Sequence, residues 1–141
     1  MRGEIAHDDD FLAVGLSATN SMSYTAVAAC VTVGGVDTVD SYWNDSKPTV
    51  RKTATDALGI KNVVTDVTDG VRSCSFNIDA VMDFEEAGSR GPVDLTQNPY
   101  FVLFSTGPMN QQDPSYISKH TNKYKGSGSD HDAAPEEFYM F

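Results

Sequence analysis

At 141 residues the chain is long enough for one domain with its own core and too short to expect two. Twenty acidic residues against ten basic ones leave a formal charge of -10, with no Lys/Arg stripe interrupting the excess, which argues against nucleic acid or an anionic membrane face as a partner. No apolar run approaches the roughly 20 residues a bilayer-spanning helix needs, and the start MRGEIAHDDD lacks the apolar core of a signal peptide. The acidity is concentrated in His7-Asp8-Asp9-Asp10, in Asp83-Phe84-Glu85-Glu86 and in the last dozen residues, which reads as solvated loops and tail.

In chain order, apolar residues alternate with a period of two, and helical spacing is nowhere sustained. In FLAVGLS (11 to 17) Leu12, Val14 and Leu16 share a face. In YTAVAACVTV (24 to 33) Thr25, Val27, Ala29, Val31 and Val33 oppose Tyr24, Ala26, Ala28, Cys30 and Thr32. Gly34-Gly35 supplies the positive φ values of a tight hairpin, which returns through VDTVDSYW. A second hairpin is marked by Asp69-Gly70 between NVVTDV (62 to 67) and VRSCSFNI (71 to 78), where Arg72, Cys74, Phe76 and Ile78 alternate with Val71, Ser73 and Ser75. After a Gly/Pro loop, YFVLFSTG (100 to 107) is apolar on both faces, as a central strand would be. From Pro108 the chain turns polar, and residues 108–141 are expected to be a polar loop and C-terminal tail. Many short strands joined by loops predict an all-β, Ig-like antiparallel β-sandwich.

Cys30 and Cys74 are the whole thiol inventory, and neither lies in a CxxC or beside a histidine, which leaves no convincing zinc site. From the residues alone, one long-range disulfide and two unpaired buried thiols are both open. Asn44-Asp45-Ser46 is an N-glycosylation sequon, as an extracytoplasmic chain would carry. There is no nucleophile elbow, HExxH, phosphate loop or closely spaced carboxylate cluster, so catalysis by side chains alone is not suggested. Three residues make poor sense as packing: Met22 in a Ser/Asn loop, Gly15 within a strand, and His120 in a polar segment after the last strand.

The order of five elements, FLAVGLSATNSMSYTAVAAC, VDTVDSYWND, DGVRSCSFNI, YFVLFSTG and ISKH, resembles the DOMON family, in particular the cytochrome-type domains of ferric-chelate-reductase-like proteins. The resemblance spans about residues 11 to 120. It implies a sandwich holding one non-covalent haem b between an axial methionine and an axial histidine, here Met22 and His120, with Cys30 bonded to Cys74. No CxxCH is present for covalent attachment. A thioether in a polar loop adds little to a core, but it is a soft ligand for haem iron. Met109, His7 and His131 are the competing ligands, and Tyr42, Trp43, Phe76, Tyr100 and Phe104 are aromatic residues that would wall a porphyrin.

With both axial positions filled by the protein, the resemblance implies an electron relay more than a catalyst. It further implies a transmembrane b-type cytochrome or other redox domain as partner, on the same or another chain, and an extracellular or lumenal location. The family has a further strand before the one ending in Gly-x-Ser, and only ten residues precede Phe11, so the domain, 1–141, is expected to be truncated at its N-terminus. The reading from a different class is a non-haem DOMON module for carbohydrate binding or protein interaction. In it Tyr42 and Trp43 would stack on sugars while Asn44 and Asp45 orient hydroxyls.

Overall fold

A computed structural model describes residues 1–19, 23–45, 50–52, 59–82, 93–97, 99–117 and 122–126. Twelve strands are found among them: β1 (Arg2–Glu4), β2 (Phe11–Ser17), β3 (Thr25–Val33), β4 (Val36–Asn44), β5 (Val50–Lys52), β6 (Lys61–Thr68), β7 (Val71–Asn77), β8 (Val81–Met82), β9 (Val93–Asp94), β10 (Phe101–Gly107), β11 (Tyr116–Ile117) and β12 (Asn122–Gly126). They form a seven-stranded sheet in the order β11-β5-β4-β3-β2-β10-β12, a three-stranded sheet β1-β7-β6, and a two-stranded ribbon β8-β9. Pairing is antiparallel throughout. The protein is an all-β sandwich, as the alternation predicts.

Both hairpins form where turn chemistry puts them. Gly34 and Gly35 take φ of 59° and 78° between β3 and β4, and Asp69 and Gly70 take 52° and 74° between β6 and β7. Two consecutive left-handed residues give a turn whose twist matches that of the flanking strands. The alternation in β2 and β3 then divides the large sheet into two buried faces. Leu12, Ala26, Ala28, Cys30, Val39 and Trp43 meet Cys74 of the small sheet and Met82 and Val93 of the ribbon. Between these sheets Cys30 and Cys74 form a disulfide, their Cα atoms 6.5 Å apart.

The opposite face of the large sheet, with Phe11, Ala13, Val27, Ala29, Val31 and Tyr42, is also buried, and Met109 and Ile117 pack onto it. Residues 108–117 run from β10 into β11. They cross this face as a strap with an apolar plug near each end. Met109 is 6% exposed and Ile117 4%, while the residues between carry polar groups that turn on themselves. Asn110 Oδ1 accepts from the amides of Gln112 and Asp113, and Asp113 Oδ1 accepts from that of Ser115. The remainder of the expected tail, 127–141, lies outside the described residues. YFVLFSTG is an inner strand, β10, lying between β2 and β12.

Two features escape any periodicity. Arg2–Glu4 adds to β7 as an outer strand of the small sheet. Arg72 is fully buried on the inward face of β7, where its NH2 nitrogen donates to Asp8 O and to Thr32 Oγ1 (2.6 Å) and its NH1 nitrogen to Asp37 Oδ1 (3.3 Å). A charge that is 0% exposed is tolerable because it is ion-paired and hydrogen-bonded. It fastens the 5–10 loop and the β3–β4 hairpin to the small sheet.

Candidate functional site

The register of the large sheet defines one end from which several connections leave. Ser17 ends β2 opposite both Thr25, which begins β3, and Phe101, which begins β10. Thr25 in turn faces Asn44, the last residue of β4, and Ile117, the last of β11, faces Val50, the first of β5. The segment bearing Met22 joins Ser17 to Thr25, both of them at this end. The chain leaves β11 there too, three residues before His120. In the sheet order β11 is three strand spacings from β3. β12 begins at Asn122, opposite Thr106, at the other end of β10. Met22 and His120 themselves lie outside the described residues.

The inward wall of this end is apolar and aromatic. Leu16 and Trp43 stand one residue inside it, and Tyr24 and Tyr100 adjoin its first paired residues. Strand β7 is aligned by two contacts, Arg72 with Thr32 and Cys74 with Cys30, so Phe76 and Ile78 continue along it toward the same end. All six side chains belong to the inter-sheet cluster, Trp43 as a buried member and the other five half-buried. Of the aromatics named from sequence, Trp43, Phe76 and Tyr100 are thus brought together. Tyr42 is on the other face of β4, and Phe104 is half-buried on β10.

The backbone entering β3 is strained. Tyr24 has φ 55°, in the left-handed region that a bulky residue occupies at a cost of about 1–2 kcal/mol. This conformation turns the chain just after the Met22 segment. Behind it lies a row of buried polar groups: Ser17 and Thr25 at 0% exposure and Asn44 at 4%. Ser17 Oγ accepts from the amide of Thr19 at 3.2 Å, and the Ser17 and Thr25 hydroxyls both donate to Ser23 O at 3.5 Å. Asn44 Oδ1 is buried and takes no hydrogen bond from the described residues.

Other expected residues fall elsewhere. The Asn44 amide is buried, so a glycan on it requires that side chain to turn outward; Asp45 is exposed and Ser46 lies outside the described residues. Tyr42 and Trp43, at 0% and 5% exposure, offer no ring face to a sugar. Met109 is a plug of the strap, and His7 is exposed in the turn where Asp10 Oδ2 accepts from its backbone amide at 3.2 Å. His131 is outside the described residues. Among the described residues no group of three or more His, Cys, Asp or Glu side chains is placed to hold a metal ion, and no helix is long and apolar enough to cross a membrane.

Three groups among the described residues carry clear electrostatic shifts, one being the Met1 ammonium, which burial holds below its usual range. Burial, reinforced by the negative charge of Asp40, pushes the Tyr42 phenol well above its usual range, and its hydroxyl donates to Pro114 O at 3.3 Å. Hydrogen bonds from the Thr96 hydroxyl and then its amide hold the Asp94 carboxyl below the usual carboxylate range. Sequence reasoning missed the strap, Arg72 and Tyr24. The inward phase of Arg72 with Cys74 and Phe76 was the one available signal. No family model, curated protein or solved structure matches the chain.

Proposed function

We propose that this chain is a b-type haem-binding electron-transfer domain in which Met22 and His120 are the axial ligands. It would relay single electrons to or from a membrane redox partner on the extracellular or lumenal side. The observation that carries the reading is topological. Ser17 and Thr25, which flank the Met22 segment, and Ile117, three residues before His120, share one end of the large sheet, whereas Asn122, two residues after His120, begins β12 at the other. The wall there suits a porphyrin, being apolar and aromatic through Leu16, Tyr24, Trp43, Phe76 and Tyr100.

Haem iron supplies reversible one-electron chemistry. Met22 and His120 are the residues that would hold it, and the apolar wall would exclude water. A neutral thioether favours the ferrous state relative to a second imidazole, so Met22 would keep the potential higher than bis-histidine ligation does. The resemblance of the five sequence elements to cytochrome-type DOMON domains supports the same reading. An interaction module without haem is favoured by one observation, the outer edge of β6, which no other described strand pairs and where Val63 and Val64 are 42% and 66% exposed. Absorption spectroscopy separates the two. Haem titrated into the purified chain should give a low-spin b-type spectrum with sharp reduced bands, Met22→Ala should open the iron to carbon monoxide, and Met22→His should lower the midpoint potential. Absence of a Soret shift, or an unaltered spectrum in His120→Ala, would overturn the proposal.

A further inference from the structure

The sheet edges of this fold are not alike. On the large sheet, β11 is two residues long and β12, NKYKG, carries two lysines; on the small sheet, β1 is three residues long, two of them charged. Short or charged edges resist pairing with another chain. The edge at β6 differs: it runs for eight residues, no other described strand pairs its outer side, and Val64 there is 66% exposed. The register against β7 sets out what this edge presents. Lys61, Val64 and Asp66 stand opposite Asn77, Ser75 and Ser73, out of phase with Thr65, the partner of the inward Cys74. The step from Lys61 to Val64 takes three residues and that from Val64 to Asp66 two, because Asn62, at φ 55°, and Val63 form a bulge against the single residue Phe76. The cation and the anion therefore flank the valine at equal spacings on the solvent face.

A row of cation, apolar group and anion at equal spacings is complementary to itself when reversed. We propose that the β6 edge pairs antiparallel with the β6 edge of a second copy of this chain, about an axis through Val64. Val64 then lies against Val64 of the other copy, and Lys61 of each copy lies against Asp66 of the other. Cross-strand pairs of both kinds stabilise a sheet. Lys61 Nζ already donates to Asp79 (2.8 Å) and Asp66 Oδ2 accepts from the Thr68 hydroxyl (2.8 Å), but an ammonium and a carboxylate each have bonding capacity beyond one partner. The net charge of -10 otherwise keeps copies apart, so association has to be specific to this register. The dimer is expected to be a transient one, because two short edges bury less than the roughly 1,000 Å² of a stable interface. The inference stands independently of whether the chain holds haem.

Sedimentation of the full chain at concentrations up to about 1 mM, where weak association becomes visible, should show a monomer–dimer equilibrium. Lys61→Asp and Asp66→Lys each put like charges opposite one another in both symmetry-related pairs, and each should weaken the dimer by about tenfold or more. Both residues are exposed, so the monomer should keep its fold in either variant. An equimolar mixture of the two variants should recover the wild-type affinity, since position 61 of each then meets an opposite charge at position 66 of the other. Asp66→Lys is the decisive variant, because it makes the chain less acidic: association governed by net charge would strengthen in it. That strengthening, or a mixture no tighter than its components, overturns the proposal. A wild type that stays monomeric throughout overturns it too and leaves the edge to a strand of another protein.

Discussion

Tyr42 is buried as a neutral phenol, and the linkage this creates has a definite sign. Its pKa is raised in the folded state, so the unfolded chain loses the proton first as pH climbs past the ordinary value near 10. The associated stability is fully present below that value and is lost progressively above it. Alkaline denaturation should therefore be less steep in Tyr42→Phe between pH 10 and the wild-type transition. An identical pH dependence would show that this phenol is not the linked group. Gly15 poses a steric question instead. A Cβ built there would meet Thr25 Cγ2 at 2.7 Å, closer than real contacts allow. Gly15→Ala should destabilise by about 1–3 kcal/mol through overpacking. Thr25→Ser, which deletes the offending methyl, should recover part of that loss in the double variant, and strict additivity in urea unfolding would exclude the contact as the cause. The oddity of a glycine inside an apolar strand was legible in the sequence. Its cause was not, because it depends on register with β3.

At the scale of elements, β7 is the strand on which the two layers depend. It pairs with β1 and β6 on its edges, and its inward side chains place Arg72 and Cys74 against β3 at positions 32 and 30. Replacing both cysteines by alanine removes a tie spanning 44 residues and should lower unfolding stability by about 2–4 kcal/mol. Guanidinium-induced unfolding under non-reducing conditions measures it, and equal midpoints for variant and wild type would refute the estimate. The hairpins β3–β4 and β6–β7 could be read directly, since Gly34-Gly35 and Asp69-Gly70 are chemical instructions for a local turn. The cysteine pairing stays open on the residues alone, because nothing local says which sheet a distant strand will face, and the structure closes it. The strap was illegible for a related reason. Met109 and Ile117 are separated by a polar run, so no period links them, and only the apolar outer face of the large sheet reveals them as anchors.

At the scale of the molecule, alternation alone was enough for the all-β sandwich, whereas the order of its strands was not. The candidate site was legible only as a pair of residues, Met22 and His120, set apart by poor packing value and by resemblance. That Ser17, Thr25 and Ile117, which adjoin the segments bearing them, share a sheet end follows from pairings between distant segments, which residue spacing does not encode. The same topology governs the order in which the protein can be assembled. Strand β2 finds one neighbour at once in β3, but the other is β10, so residues 11–17 wait for residues 101–107. The pairing of Arg72, Cys74 and their partners on β3 and β4 requires nothing beyond β7. As the chain leaves a ribosome, a cross-linked precursor of the two hairpins can exist while β2 is still an open apolar edge, a template for pairing with another nascent chain. Termination before β10 would leave that edge permanently bare. The passage from precursor to finished sheet, gated by the most distant pairing in its centre, is the interval in which this protein most needs protection from its own copies.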